Sequence, residues 1–306
     1  MEPNPVLRKL GFAPHDRVVI LHADDVGMCQ ASLAAFADLV EFGLVSCGSV
    51  MVPCPWFPAV AGYGRTHPSA DLGVHLTLTS EWDGYRWGPI STRDPASGLI
   101  DEEGYFHRRS ELVRERADPD AAQQELTLQV DRALAAGLDV THLDTHMGAV
   151  ADLKFTPAYL GLALARRLPA LMLRLDEAGW QAQGLEGEMA ALAAQFVVEL
   201  EAQGVPLLDH VAGLPLVVDP GDREAQARQE LDSLPAGLTH FILHPAQDTP
   251  ELRAITSSWR SRVADYQTFI SESLRQYIRN AGIQVIGYRV LRDLMRFASQ
   301  DTTNRN

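Results

Sequence analysis

Short apolar runs alternate with helical stretches along almost the whole chain, and this rhythm leaves few folds open to it. The runs fall at residues 18–23, 45–52, 71–78, 139–146, 171–175, 205–208, 240–243 and 284–287, each of strand length and rich in branched residues. Between them the spacing predicts helices over residues 30–42, 121–136, 156–168, 188–203 and 267–280; in the second, Leu126, Val130 and Leu134 form one apolar stripe. Gly43, Gly137, Gly204 and Gly282 follow four of these helices, as left-handed helix ends require. Strand, helix, glycine, strand, repeated this often, predicts parallel strands joined by crossover helices. The expected architecture is a single α/β domain, a closed or nearly closed (β/α) barrel over residues 1–298, with an unstructured tail at 299–306.

One stretch breaks the rhythm. Residues 80–118 follow the third strand and carry Trp82, Tyr85, Trp87, Tyr105 and Phe106 among charges, prolines and glycines. Long excursions of this kind serve as lids or binding loops, or else pack on themselves as surface insertions. Aromatic faces in a lid would suit sugar rings or acyl groups.

Charge narrows the partners. The net charge of -14 over 306 residues opposes binding to nucleic acid or to an anionic membrane, both of which need clustered Lys and Arg. A neutral or cationic small substrate fits better. No apolar run approaches ~18 residues, and Met1-Glu-Pro-Asn-Pro does not begin a signal peptide, so the expected compartment is the cytoplasm. Cys29, Cys47 and Cys54 are odd in number and lack paired ligand spacing, which predicts reduced, buried thiols.

The unusual polar residues gather at the carboxyl ends of predicted strands, where barrels of this type carry their chemistry. Asp24 and Asp25 end the run Val18-Val-Ile-Leu-His-Ala. Two adjacent carboxylates at the end of a buried strand repel unless a cation lies between them, and a bound metal is the natural remedy. Alternation in Val140-Thr-His-Leu-Asp-Thr-His146 puts His142, Asp144 and His146 on one face. His75, in Gly73-Val-His-Leu, and His244, in Phe241-Ile-Leu-His-Pro, also stand at strand ends. A lone histidine there is more often a hydrogen-bonded core residue, and His22, His210 and His240 read as core or surface histidines. One Asp with two His makes a ligand set that leaves coordination positions open, as catalytic metals need. No Gly-x-Ser-x-Gly elbow, phosphate loop or cysteine nucleophile competes.

Five segments in order, Ala23-Asp-Asp-Val-Gly-Met28, Leu72-Gly-Val-His-Leu-Thr-Leu78, Thr141-His-Leu-Asp-Thr-His146, Leu173-Arg-Leu-Asp176 and Leu243-His-Pro-Ala246, resemble the YdjC-like carbohydrate deacetylases, which include chitooligosaccharide deacetylases. The resemblance implies a distorted (β/α) barrel like that of polysaccharide deacetylases and a tendency toward homodimers. It also implies one divalent metal, Mg²⁺ or Zn²⁺, with Asp25, His75 and His146 at the ligand positions. Asp24 matches the base and His244 the residue that protonates the leaving amine. His142 and Asp144 become supporting residues, and Arg174 a polar residue near the site. The implied reaction removes an N-acetyl group from an amino sugar or short oligosaccharide, releasing acetate. Met147-Gly-Ala-Val follows His146 where many members carry further histidines, and Val26 stands where Phe is common, so the walls around the metal differ. Another metal-dependent barrel hydrolase, cleaving a different amide, an ester, a glycosidic bond or a phosphoester, could use the same ligands, and an inactive sugar-binding barrel is a third reading. Phosphoester chemistry predicts Arg or Lys at the site, and glycoside cleavage a flanking carboxylate pair.

Overall fold

The computed structural model describes residues 2–303, with side chains as far as Phe297. Among the described residues there are seven strands: β1 (Arg17–Val26), β2 (Cys47–Val50), β3 (Leu72–Leu76), β4 (Val140–Thr145), β5 (His210–Gly213), β6 (Gly237–Leu243) and β7 (Gln284–Val285). All pairings are parallel, in the order β4-β3-β2-β1-β6-β5, with β7 on β1 at Val18 and Val19. Parallel pairing demands a crossover between neighbours, and the helices Gln30–Phe42, Phe57–Thr66 and Pro119–Ala135 supply it between successive strands from β1 to β4.

The predicted strands at 171–175 and 205–208 are not strands. Single parallel bridges, Leu143↔Ala170 and Leu173↔Leu208, instead carry the ring across the gap between β4 and β5, and β5 itself begins at His210. Pro169 lies in this segment and brings no N–H to a ladder. The predicted helix at 267–280 is two helices, Trp259–Phe269 and Glu272–Asn280, parted where the Ser271 side chain accepts from Leu274 N and caps the second. The final helix runs to Thr303, and the rest of the expected tail, 304–306, lies outside the described residues. Gly43, Gly137, Gly204 and Gly282 all adopt positive φ after their helices. The three cysteines are free and buried.

β1 shows how the barrel places its polar end. Val18 and Ile20 join Leu208, Leu238 and Tyr288 in one apolar cluster, while Val19, Leu21 and Ala23 face the layer that includes Phe36 and Leu39. Val18, Ile20, His22 and Asp24 therefore follow one strand face, apolar at the amino end and ionisable at the carboxyl end. The excursion after β3 is not structureless. Thr79↔His107 and Ile100↔Phe106 bridges, a helix at Ser110–Arg116, buried Trp87, Leu99, Phe106 and Val113 and the Glu125 carboxylate, which accepts from Ile90 N and Ser91 N, hold it against the barrel.

Candidate active site and metal centre

In a regular strand Asp24 and Asp25 would leave on opposite faces. They do not, because β1 bulges. Its pairing with β2 steps from Ala23↔Gly48 to Val26↔Val50, so both aspartates stand opposite Ser49 alone, and Asp25 lies at φ 60°. A left-handed non-glycine residue costs about 1–3 kcal/mol and persists where the surroundings hold it. The bulge turns both carboxylates into one cavity: Asp25 Oδ1 is 3.4 Å and Asp24 Oδ2 is 3.8 Å from His75 Nε2.

His146, just past β4, brings Nδ1 to 3.1 Å from the same Asp25 Oδ1. One ligand atom each from Asp25, His75 and His146 fall within 4.8 Å of one another. Asp25 Oδ1 is buried yet lacks a hydrogen bond of good geometry, while Oδ2 accepts from Arg262 Nη1 at 2.8 Å. An orphaned carboxylate oxygen facing two imidazole nitrogens is a donor set that fits a divalent cation. Each imidazole is held from behind by a second carboxylate. His75 Nδ1 lies 2.9 Å from Asp144 Oδ1, whose other oxygen accepts from Ser49 Oγ, and His146 Nε2 lies 3.1 Å from Glu81 Oε2. Such partners fix the ring and its tautomer, leaving the other nitrogen free to ligate.

Burial works against ionising Asp25, but Arg262 and His146 outweigh it and hold the carboxyl well below its usual range. Burial likewise opposes charge on His75, yet Asp144 and Asp24 raise it well above the ordinary imidazole value. His146, desolvated but flanked by Glu81 and Asp25, is raised to about 9. Asp24 is lowered despite its burial, by His75 and His22. Its Oδ1 is taken by His22 Nδ1 at 2.7 Å, and its Oδ2 remains toward the cavity, 3.9 Å from His244 Nε2. His244 is lowered by burial, which the Asp25 and Asp24 carboxylates oppose. Its backbone N–H donates to Asp265 Oδ2, and Asp265 is itself bound by Arg223.

The cavity these residues line measures about 350 Å³, with Glu81, Trp82, Met147, Leu216, Ser258 and Arg262 completing its wall. Of the residues expected from the sequence, Asp24, Asp25, His75, His146 and His244 meet here. Asp144 touches His75 directly, whereas His142 stands one residue further back, against His22. Arg174 is a correction. It bonds to Glu201 and the Glu2 carbonyl in a separate hollow with Asn4, Asp209 and Gly237, at the amino end of β6, because its segment crosses the barrel wall low down. Three residues here escaped the sequence reading. His22 was legible, since it alternates with Asp24; Glu81 and Arg262 carry no local signal, one starting the excursion and the other lying on an ordinary helix, Trp259–Phe269.

The sequence model of the YdjC-like protein family matches residues 18–280. This chain belongs to the YdjC-like family. Among its relatives, a carbohydrate deacetylase of Thermus thermophilus is 34% identical over 296 residues, covering 95% of this chain and 99% of the relative. A carbohydrate deacetylase of Thermoanaerobacter pseudethanolicus is 24% identical over 276 residues, covering 90% and 100%. A solved structure from Enterococcus faecalis V583, described in terms of cellobiose-phosphate cleavage, has the same fold as this YdjC-like chain. Its TM-score is 0.71 at 21% identity, over 90% of this chain and 99% of that one. No helix among the described residues is long and apolar enough to cross a membrane.

Proposed function

We propose that this YdjC-like chain is a metal-dependent carbohydrate deacetylase that hydrolyses the N-acetyl group of an amino sugar or short oligosaccharide to acetate and free amine. The observation that carries the reading is the orphaned Asp25 Oδ1 between His75 and His146, with Asp24 Oδ2 and His244 Nε2 facing each other beside it. Asp25, His75 and His146 would hold Mg²⁺ or Zn²⁺, which supplies Lewis-acid polarisation of the acyl oxygen and lowers the pKa of water.

The residues divide the remaining work. Asp24 Oδ2 accepts the proton of the attacking water, since Oδ1 is already occupied by His22. His244 Nε2 donates a proton to the departing amine; its lowered pKa makes the imidazolium a stronger acid once formed. Trp82 offers a face for a sugar ring, and Met147 and Leu216 offer apolar surface beside it. Arg262 is the only Lys or Arg lining the cavity among the described residues, and it is engaged by Asp25, which favours an uncharged amide over a phosphoester.

The test is acetate release from a panel of N-acetylated mono- and disaccharides by chelated, then metal-loaded protein. Metal-dependent acetate is expected from the wild type, with Asp24→Asn reducing turnover about 10²- to 10⁴-fold while still binding metal, and His75→Ala losing the metal. A panel without acetate release by metal-loaded wild type would overturn the reading.

A further inference from the structure

Behind Asp24 a hydrogen-bonded chain runs through the barrel interior to the opposite end of β3. Asp24 Oδ1 meets His22 Nδ1 at 2.7 Å; His22 Nε2 meets His142 Nε2 at 2.7 Å; His142 Nδ1 meets Thr141 Oγ1 at 2.9 Å. Thr141 Oγ1 donates to Asp71 Oδ1, and Asp71 Oδ2 accepts from Arg289 N at 2.7 Å. Every side chain in it is buried. The path is built, not incidental. β4 bulges so that Thr141 and His142 both stand opposite Gly73, a Cβ on Gly73 would lie 2.5 Å from the His142 ring, and Tyr288 stacks on that ring at 3.9 Å.

Counting hydrogens gives the chain a direction. With the Asp71 carboxylate ionised and held by Arg289 N–H, the single proton of the threonine hydroxyl goes to it, and Thr141 Oγ1 accepts from His142 Nδ1–H. His142 is driven well toward its neutral form by burial and by His22, so its Nε2 is an acceptor, and the facing His22 Nε2 must be the donor. A proton is then needed between His22 Nδ1 and Asp24 Oδ1 as well. From this bookkeeping we infer that Asp71 and Thr141 are positioning residues for Asp24: they set the tautomer of His142 so that His22 donates from Nε2, which fixes its ring with Nδ1 against Asp24 Oδ1 and leaves Oδ2 toward the substrate. The role in turnover rests on the deacetylation proposed above; the polarity of the chain does not.

Asp71→Asn tests it with an isosteric reversal. The asparagine oxygen can keep Arg289 N–H while its amide donates to Thr141, which turns the hydroxyl toward His142 and reverses the links as far as His22 Nε2. Ring-nitrogen ¹⁵N spectra of the histidines read this without any assay. In the wild type His142 is expected protonated at Nδ1 only and His22 at Nε2; in Asp71→Asn, His142 at Nε2 only and His22 bare at Nε2. kcat should fall about 10- to 100-fold, with KM and metal affinity unchanged. Thr141→Val, which removes the bridging hydroxyl, should show the same fall and Thr141→Ser should restore the rate, so the idea stays testable if Asp71→Asn does not fold. Wild-type His142 protonated at Nε2, an unchanged tautomer in Asp71→Asn, or full turnover in Thr141→Val would each overturn it. If the wild type releases no acetate, the deacetylation reading fails by itself and the spectra still decide the polarity.

Discussion

Arg262 Nη1 stands 2.8 Å from Asp25 Oδ2, and both side chains are buried. The contact divides the labour of one carboxylate, Oδ2 neutralised by the guanidinium and Oδ1 left to the two imidazoles. Removing one member of a buried pair strands the other, at a cost of about 3–5 kcal/mol. Arg262→Gln is therefore expected to destabilise the metal-free protein by about that amount, and saturating Zn²⁺ should return part of the loss, because a cation at Oδ1 compensates the same charge. Denaturant unfolding with and without metal measures both. Equal destabilisation in the two conditions would mean that Asp25 does not take the metal.

Metal uptake should release protons at pH 7. His75 is raised well above the ordinary value and His146 to about 9, so in the metal-free site both rings carry a proton that a ligand nitrogen cannot keep. Affinity should rise with pH from 7 through about 9, where His146 loses its proton. The sign for metal-free stability is opposite: a raised His146 stabilises the fold fully below about pH 6.5, and that contribution disappears as pH climbs through its folded value. Calorimetric titration in buffers of differing ionisation enthalpy counts the protons, and a count of zero rules out these histidines as the ligands.

Gly73→Ala should cost about 1–3 kcal/mol, since its Cβ would meet the His142 ring at 2.5 Å with Tyr288 closing the other side. The ring resonances of His142 should shift together with the unfolding midpoint. Unchanged stability with unmoved resonances would show that the ring has room.

Arg174→Ala should leave kcat/KM for acetate release unchanged while lowering stability by about 1–3 kcal/mol through its lost bonds to Glu201 and Glu2. A fall in kcat/KM per folded molecule would return Arg174 to the site.

The sequence by itself determined the parallel α/β plan, the glycines that close its helices and the strand ends where Asp24, Asp25, His75, His146 and His244 gather, because strand period and helix termination are local properties of the chain. The shared face of His142, Asp144 and His146 was legible for the same reason, and the pairing of His22 with Asp24 could have been read the same way. Only the tertiary structure decided the rest. Alternation sends Asp24 and Asp25 apart, and it takes a neighbouring strand to impose the bulge opposite Ser49 that brings them together. Asp25 and Arg262 are 237 residues apart, and no spacing rule reaches across that distance. Arg174 carried the opposite lesson, since a motif beside the others in the chain lies at the far end of the barrel. Which charges meet in a buried site depends on where the sheet puts them, and strand order is a property of all the strands at once.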